Sequence, residues 1–89
     1  MKVIYKYPLH AGLTKLTVPV DFRILAIHEQ QGRAFVWIEH EEPQIDTASF
    51  QLSIAARATG ERWNPEYIGT YLDSAFDLNC GEVYHYYQL

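Results

Sequence analysis

Cysteine is nearly absent: Cys80 is the only one in 89 residues. One thiol closes no internal disulfide, so the domain does not rest on a secreted-type disulfide framework. A reducing compartment is the expected setting. Positive charge is scarce as well. Seven Lys and Arg face eleven Asp and Glu, for a formal net charge of −4. That balance argues against groove-tracking nucleic-acid binding. The acid excess is itself modest, which argues against a DNA mimic. Long apolar runs are missing too. No stretch approaches the roughly 18 residues of a membrane-spanning helix, so no membrane association is expected. The opening, Met1 to Pro8, carries Lys2 and Lys6 and has no apolar h-region, so it does not read as a signal peptide.

Catalytic signatures are also lacking. There is no phosphate-binding glycine loop, no Ser-His-Asp spacing and no paired-carboxylate motif. The chain is too short for a cofactor enzyme with a separate substrate domain. No enzyme, no catalytic residue and no cofactor are therefore expected. His10, His28, His40 and His85 stand in no metal-ligand spacing with one another or with Cys80, so no metal is expected either. Cys80 precedes Gly81 in a turn and has no base beside it in sequence, so it reads as a small buried thiol or an inert turn residue.

What the chain has in abundance is aromatic and apolar area. Hydrophobic residues make up 48%, and they include seven Tyr, four Phe and two Trp. This is too apolar for disorder and fits one ordinary small domain spanning residues 1–89. The apolar spacing favours strands. Val3 to Tyr7 is β-branched and aromatic and ends at Pro8. Leu13 to Val18 alternates, and Pro19 marks its end or an edge. Phe22 to Glu29 and Arg33 to Glu41 form the strongest unit, a hairpin around Gln30-Gln31-Gly32. A three-residue loop sets Glu29 opposite Arg33 and Arg23 opposite Glu39, two complementary cross-strand pairs. That register puts Leu25, Ile27, Phe35 and Trp37 on one face and Ile24, Ala26, Val36 and Ile38 on the other. Both faces are then apolar, so one needs a cover from another chain or a second layer.

Glu41 to Ala48 is an acidic connection with Pro43. Phe50 to Arg57 alternates, with Phe50, Leu52, Ile54 and Ala56 facing in. It reads as a strand, with a short helix over Ser49 to Arg57 as the alternative. Thr59 to Pro65 is a polar loop. Tyr67 to Leu72 is a further strand in which Gly69 signals a bulge or a close backbone approach. Asp73 to Gly81 reads as a turn region. Glu82 to Tyr87 is the last strand, with Val83, His85 and Tyr87 on one face and Tyr84 and Tyr86 on the other. The fold expected is mainly β: a small single-domain antiparallel sheet, as a meander, a compact sandwich or a half-barrel, with at most one short helix.

The binding candidates follow from residue type. Arg57, Arg62 and Trp63 lie in and beside one loop, and Arg and Trp are the types enriched in interface hot spots and in stacking on nucleotides. The alternative for Trp63 is a lid over one end of the core. Tyr67, Tyr71, Tyr84, Tyr86 and Tyr87 form a dense tyrosine set that reads mostly as core or core-edge; Tyr84 and Tyr86 are binding candidates, and Tyr86, Tyr87 and the chain end could form an edge surface for a partner. Glu39, Glu41, Glu42 and Asp46 form an acidic cluster without the alternating oxygens and glycine of a calcium loop, and it reads as a solvated hairpin end.

Four stretches carry a family resemblance. They are Ile4-Tyr5-Lys6-Tyr7-Pro8-Leu9, the Ile24-to-Glu39 hairpin ending Val36-Trp37-Ile38, the Phe50-to-Gly60 strand and turn, and Tyr67-Ile68-Gly69-Thr70 followed by Val83-Tyr84-His85-Tyr86. Together they resemble a set of small phage and prophage proteins of unknown function over nearly the whole chain. The chain departs from that pattern in being richer in Ala and Arg over Phe50 to Trp63, and in a longer Ser74-to-Gly81 stretch. The resemblance implies a phage accessory protein acting in the host cytoplasm, and it carries over no catalytic residue. The expected partner is a host protein, defensive or regulatory, with self-association into a homo-oligomer. A nucleotide signal sequestered by an oligomer is the alternative ligand.

Overall fold

The computed structural model describes residues 1–64, 66, 69–78 and 80–89. Among these residues the chain forms seven strands and no α-helix. They are β1 (Lys2–Pro8), β2 (Leu13–Pro19), β3 (Arg23–Gln30), β4 (Arg33–Glu41), β5 (Ser49–Ala58), β6 (Thr70–Asp77) and β7 (Glu82–Gln88). All pairings are antiparallel. One sheet has the order β1-β4-β3 and the other β2-β5-β7-β6. The two sheets face each other across one core, in a slab of 42 × 33 × 15 Å. The sequence expectation of a mainly β, compact antiparallel fold holds, and Ser49 to Arg57 is strand rather than helix.

Alternation decides which residues reach the core. On β4, Ala34, Val36 and Ile38 are buried, and His40 follows them inward. On β5, Leu52, Ile54 and Ala56 meet them from the other sheet. Tyr84 and Tyr86 of β7 complete the layer. Their cross-strand neighbours are small: Tyr86 lies opposite Ala56, and Tyr84 lies between Ala58 and Ala75. Small residues beside large ones let two phenol rings enter a thin core without overpacking.

The β3–β4 hairpin corrects the sequence reading. Its loop has two residues, Gln31 and Gly32, because Gln30 pairs with Arg33. Both loop residues have positive φ, 54° and 82°, the requirement of a type I′ turn whose twist matches the strands. Glu29 therefore faces Ala34 rather than Arg33. Its carboxylate instead accepts the Gly32 N–H at 2.5 Å. A bulge between Ile24 and Ala26 absorbs the one-residue difference and restores Arg23 opposite Glu39. The bulge also re-sorts the faces. Ile24 and Ile27 now share the inner face with Ile38 and Val36, while Ala26 and His28 share the outer face with Trp37 and Phe35.

Two more expectations change. Asp73 to Gly81 is not all turn: β6 continues to Asp77, paired residue for residue with β7. The turn proper begins at Leu78, whose N–H reaches across to the Gly32 carbonyl at 3.0 Å and ties the two hairpin tips together. In the proposed Tyr67-to-Leu72 strand, Tyr67 and Ile68 lie outside the described residues. Gly69 does mark a close backbone approach, with φ +65° and Gln88 directly against it. The bulge in this strand falls two pairings later, between Tyr71 and Asp73.

The surroundings of the two core tyrosines make stability pH-dependent. Hydrogen bonding to the Cys80 thiol, then burial, pushes the Tyr84 phenol up to about 12. Burial first, then the Asp77 charge, pushes Tyr86 up to about 12. The unfolded chain ionises first, near the ordinary value of 10.0. Stability is thus full below pH 10 and falls as pH rises from 10 to 12. Urea midpoints at pH 8 and pH 11 should differ clearly. Tyr86→Phe should narrow that difference.

Candidate functional site

Two outward faces remain once the core is assigned. The first belongs to the four-stranded sheet. Directly paired strand residues share a face, so Arg57 of β5, His85 of β7 and Ser74 of β6 lie in one outward row. Tyr87 and Tyr71 form the next row, with Ala55 beside them. The loop after β5 folds back onto these rows. A hydrogen bond from the Ala58 N–H to the Glu61 carboxylate, at 3.1 Å, and one from the Glu61 N–H to the Ala58 carbonyl, at 3.0 Å, set its first turn. Trp63 then lies 5.5 Å from the Arg57 guanidinium carbon and 5.6 Å from the Tyr87 ring. Ala55 is buried to 3% yet lies outside the core cluster, so this outer face has a covered floor of its own.

The aromatic chain continues from Tyr87 to Tyr71, with centroids 5.2 Å apart and edge-on geometry. His85 is held at both ring nitrogens. Thr59 Oγ1 lies 2.8 Å from Nε2, and the Tyr71 hydroxyl lies 3.3 Å from Nδ1. A donor pattern that satisfies every group has Tyr71 O–H donating to Nδ1 and Nε2–H donating to Thr59. Thr59 O–H then donates to the Val83 carbonyl at 3.4 Å.

The structure divides the five sequence candidates. It brings Arg57 and Trp63 together. Arg62 is exposed in the loop beside Trp63. Tyr84 and Tyr86 are on the opposite face of β7, buried in the core, and β7 is an interior strand rather than an edge. They are corrected from surface groups to packing groups. Thr59 and His85 are site residues that were not selected, and Tyr71 and Tyr87, read as members of the tyrosine set, join them on the outward face of an interior strand pair. The i, i+2 alternation along β7 contained the signal for His85 and Tyr87. Cys80 is an exposed turn residue, and its N–H donates to the Asp77 carboxylate at 3.3 Å.

The second face is the outside of β1-β4-β3. Phe35 and Trp37 of β4 pack edge to face with centroids 6.0 Å apart, and His28 of β3 meets Trp37 at 5.8 Å. Lys6 of β1 lies 4.7 Å over the Phe35 ring, and its Nζ donates to Gln30 Oε1 at 2.5 Å. Ile4 is 55% exposed beside them, and Leu25 projects from the bulge at 38%. At one end of this face Glu39 pairs with Lys2 at 3.7 Å and Glu41 with the N-terminal amine at 2.9 Å. Two members of the acidic cluster are therefore ion-paired. Among the described residues no three His, Cys, Asp or Glu side chains gather as a metal site. No helix there is long and apolar enough to cross a membrane.

The fold and its two outward faces define a small antiparallel β-sandwich with a covered core and aromatic outer surfaces. The chain belongs to a family described as a domain of unknown function, DUF7352, whose model matches residues 1–89. No curated protein and no solved structure matches it.

Proposed function

We propose that the protein acts by binding rather than by catalysis, as a small phage accessory domain that occupies a host protein in the host cytoplasm. The observation that carries this reading is the open outer face of β1-β4-β3. The second sheet covers the inner face of the hairpin; on the outer one Ile4 and Leu25 are exposed and Phe35 and Trp37 half-buried, with the Lys6 side chain over the Phe35 ring. Aromatic and aliphatic anchors in a flat patch, rimmed by Lys2, Lys6, Arg23 and Arg33, have the composition of a protein-binding surface. The same patch would serve self-association, with a homo-oligomer as the expected competitor for it.

The test is a pair of outward substitutions, Ile4→Glu and Trp37→Lys. Each should abolish capture of the host partner while the melting temperature stays within a few degrees, because both side chains face away from the core. Trp63→Ser on the other sheet should leave capture unchanged. Capture that survives both substitutions would refute the assignment of this face.

A further inference from the structure

The outer face of the four-stranded sheet carries a separate inference, independent of the one above because it rests on the residues of the other sheet. Its outward strand positions are Leu13, Lys15, Thr17 and Pro19 on β2 and Ser49, Gln51, Ser53, Ala55 and Arg57 on β5. On β6 and β7 they are Tyr71, Ser74, Phe76, Val83, His85 and Tyr87. No carboxylate stands among them. The acids of this sheet, Asp73, Asp77 and Glu82, pair in register with the inward positions. In the adjoining loop, Glu61 is turned back on Ala58. In a chain with net charge −4 the outward strand positions of this face carry no acid, and the exposed Glu66 lies in the adjoining loop.

Within it Arg57 is half-buried and makes no ion pair with a described residue; its contact is the Trp63 ring. A guanidinium has five donors in a rigid fork suited to phosphate. His85 lies directly across the strand pair from Arg57, with its Nε2 and the Thr59 hydroxyl beside it. Adjacent to these polar groups are the rings of Trp63, Tyr87 and Tyr71, set tilted or edge-on so that they do not consume one another's faces. Tyr71 is half exposed. A ring platform beside a guanidinium and an imidazole matches a planar base joined to an anion.

We propose that this face binds a nucleotide, its base against the Trp63 and Tyr71 rings and its phosphate at Arg57, beside the hydrogen-bonded row of Thr59, His85 and Tyr71. The anion takes the free donors of Arg57. An acidic peptide is the competing occupant. The rings favour the nucleotide, because peptide acids supply charge without a planar face to stack.

The experiment is calorimetric titration of the full chain with AMP, ADP and GMP, with adenosine, inorganic phosphate and a glutamate-rich peptide as partial probes. Saturable binding of at least one nucleotide is expected, with adenosine and phosphate each at least about tenfold weaker. In a Trp37→Phe background the remaining fluorescence is that of Trp63, and nucleotide should quench it. Arg57→Gln should weaken binding about tenfold, as expected for loss of a charge-assisted contact. Tyr71→Ser, at an exposed position, supplies a second variant should Arg57→Gln fail to fold. Four results would each overturn the proposal: no saturable binding of any nucleotide, phosphate binding as tightly as the nucleotides, preference for the acidic peptide, or quenching unchanged in both variants.

Discussion

Gly69→Ala is expected to destabilise the protein by about 3 kcal/mol, roughly half from backbone strain and half from one contact. The glycine has φ +65°, where an alanine costs about 1–2 kcal/mol of backbone strain. Its added Cβ would also lie 2.3 Å from the Gln88 carbonyl oxygen and 2.9 Å from the carbonyl carbon. Those are backbone atoms at the start of the β6–β7 ladder, where Thr70 pairs with Gln88. They cannot swing aside as a side-chain end would, so the ladder must open. Gly81 is the control: its φ is +68° and nothing lies within 4 Å of its added Cβ. Gly81→Ala should therefore cost only the strain. Equal losses from the two variants, measured by urea unfolding, would show that the close approach at Gly69 contributes nothing.

Leu52→Ala is expected to be the most damaging core truncation, at about 2–5 kcal/mol. Leu52 is fully buried on β5 among residues of both sheets. The flanking strands are tied by continuous antiparallel ladders, so collapse around the vacated space is limited. In a domain of this size such a loss lowers the melting temperature by at least about 10 °C. Phe50→Ala on the same inward-reading register should cost far less, because Phe50 is 42% exposed and stacks mainly on Phe22, at 5.3 Å. A Leu52 variant that melts like wild type would contradict the two-sheet core.

The strands were legible because alternation is a local signal. Leu52, Ile54 and Ala56 on β5 and Val36 and Ile38 on β4 declare their inner face through residue type alone. The hairpin loop was misread because two charge pairs favoured three residues. Backbone twist favoured two, and a bulge at Leu25, which no residue type announces, reconciled them. Asp73 and Ser74 look like turn formers, yet β7 pairs with them and tertiary pairing prevails. For β7 the two faces were correctly separated, but both are aromatic, so the pattern could not say which one is buried. Ala56, Ala58 and Ala75 decide it by leaving room for Tyr84 and Tyr86. The site formed by Arg57, Trp63, Tyr71 and His85 joins three strands and a loop, and it becomes visible only when those strands are placed in order.

The paired outer faces shape how the molecule can be used. The aromatic residues divide between the core, as Tyr84 and Tyr86, and the outer faces, as Phe35 and Trp37 on one sheet and Tyr71, Phe76 and Tyr87 on the other. The two faces belong to different sheets, and they meet where Leu25 of β3 and Tyr71 of β6 line one cleft.

The most direct measurement is affinity capture of the intact chain from infected host cells, followed by native mass determination of what elutes. The binding account predicts a complex of fixed stoichiometry with one host protein, lost with Trp37→Lys. Elution of the chain alone as a monomer would contradict it.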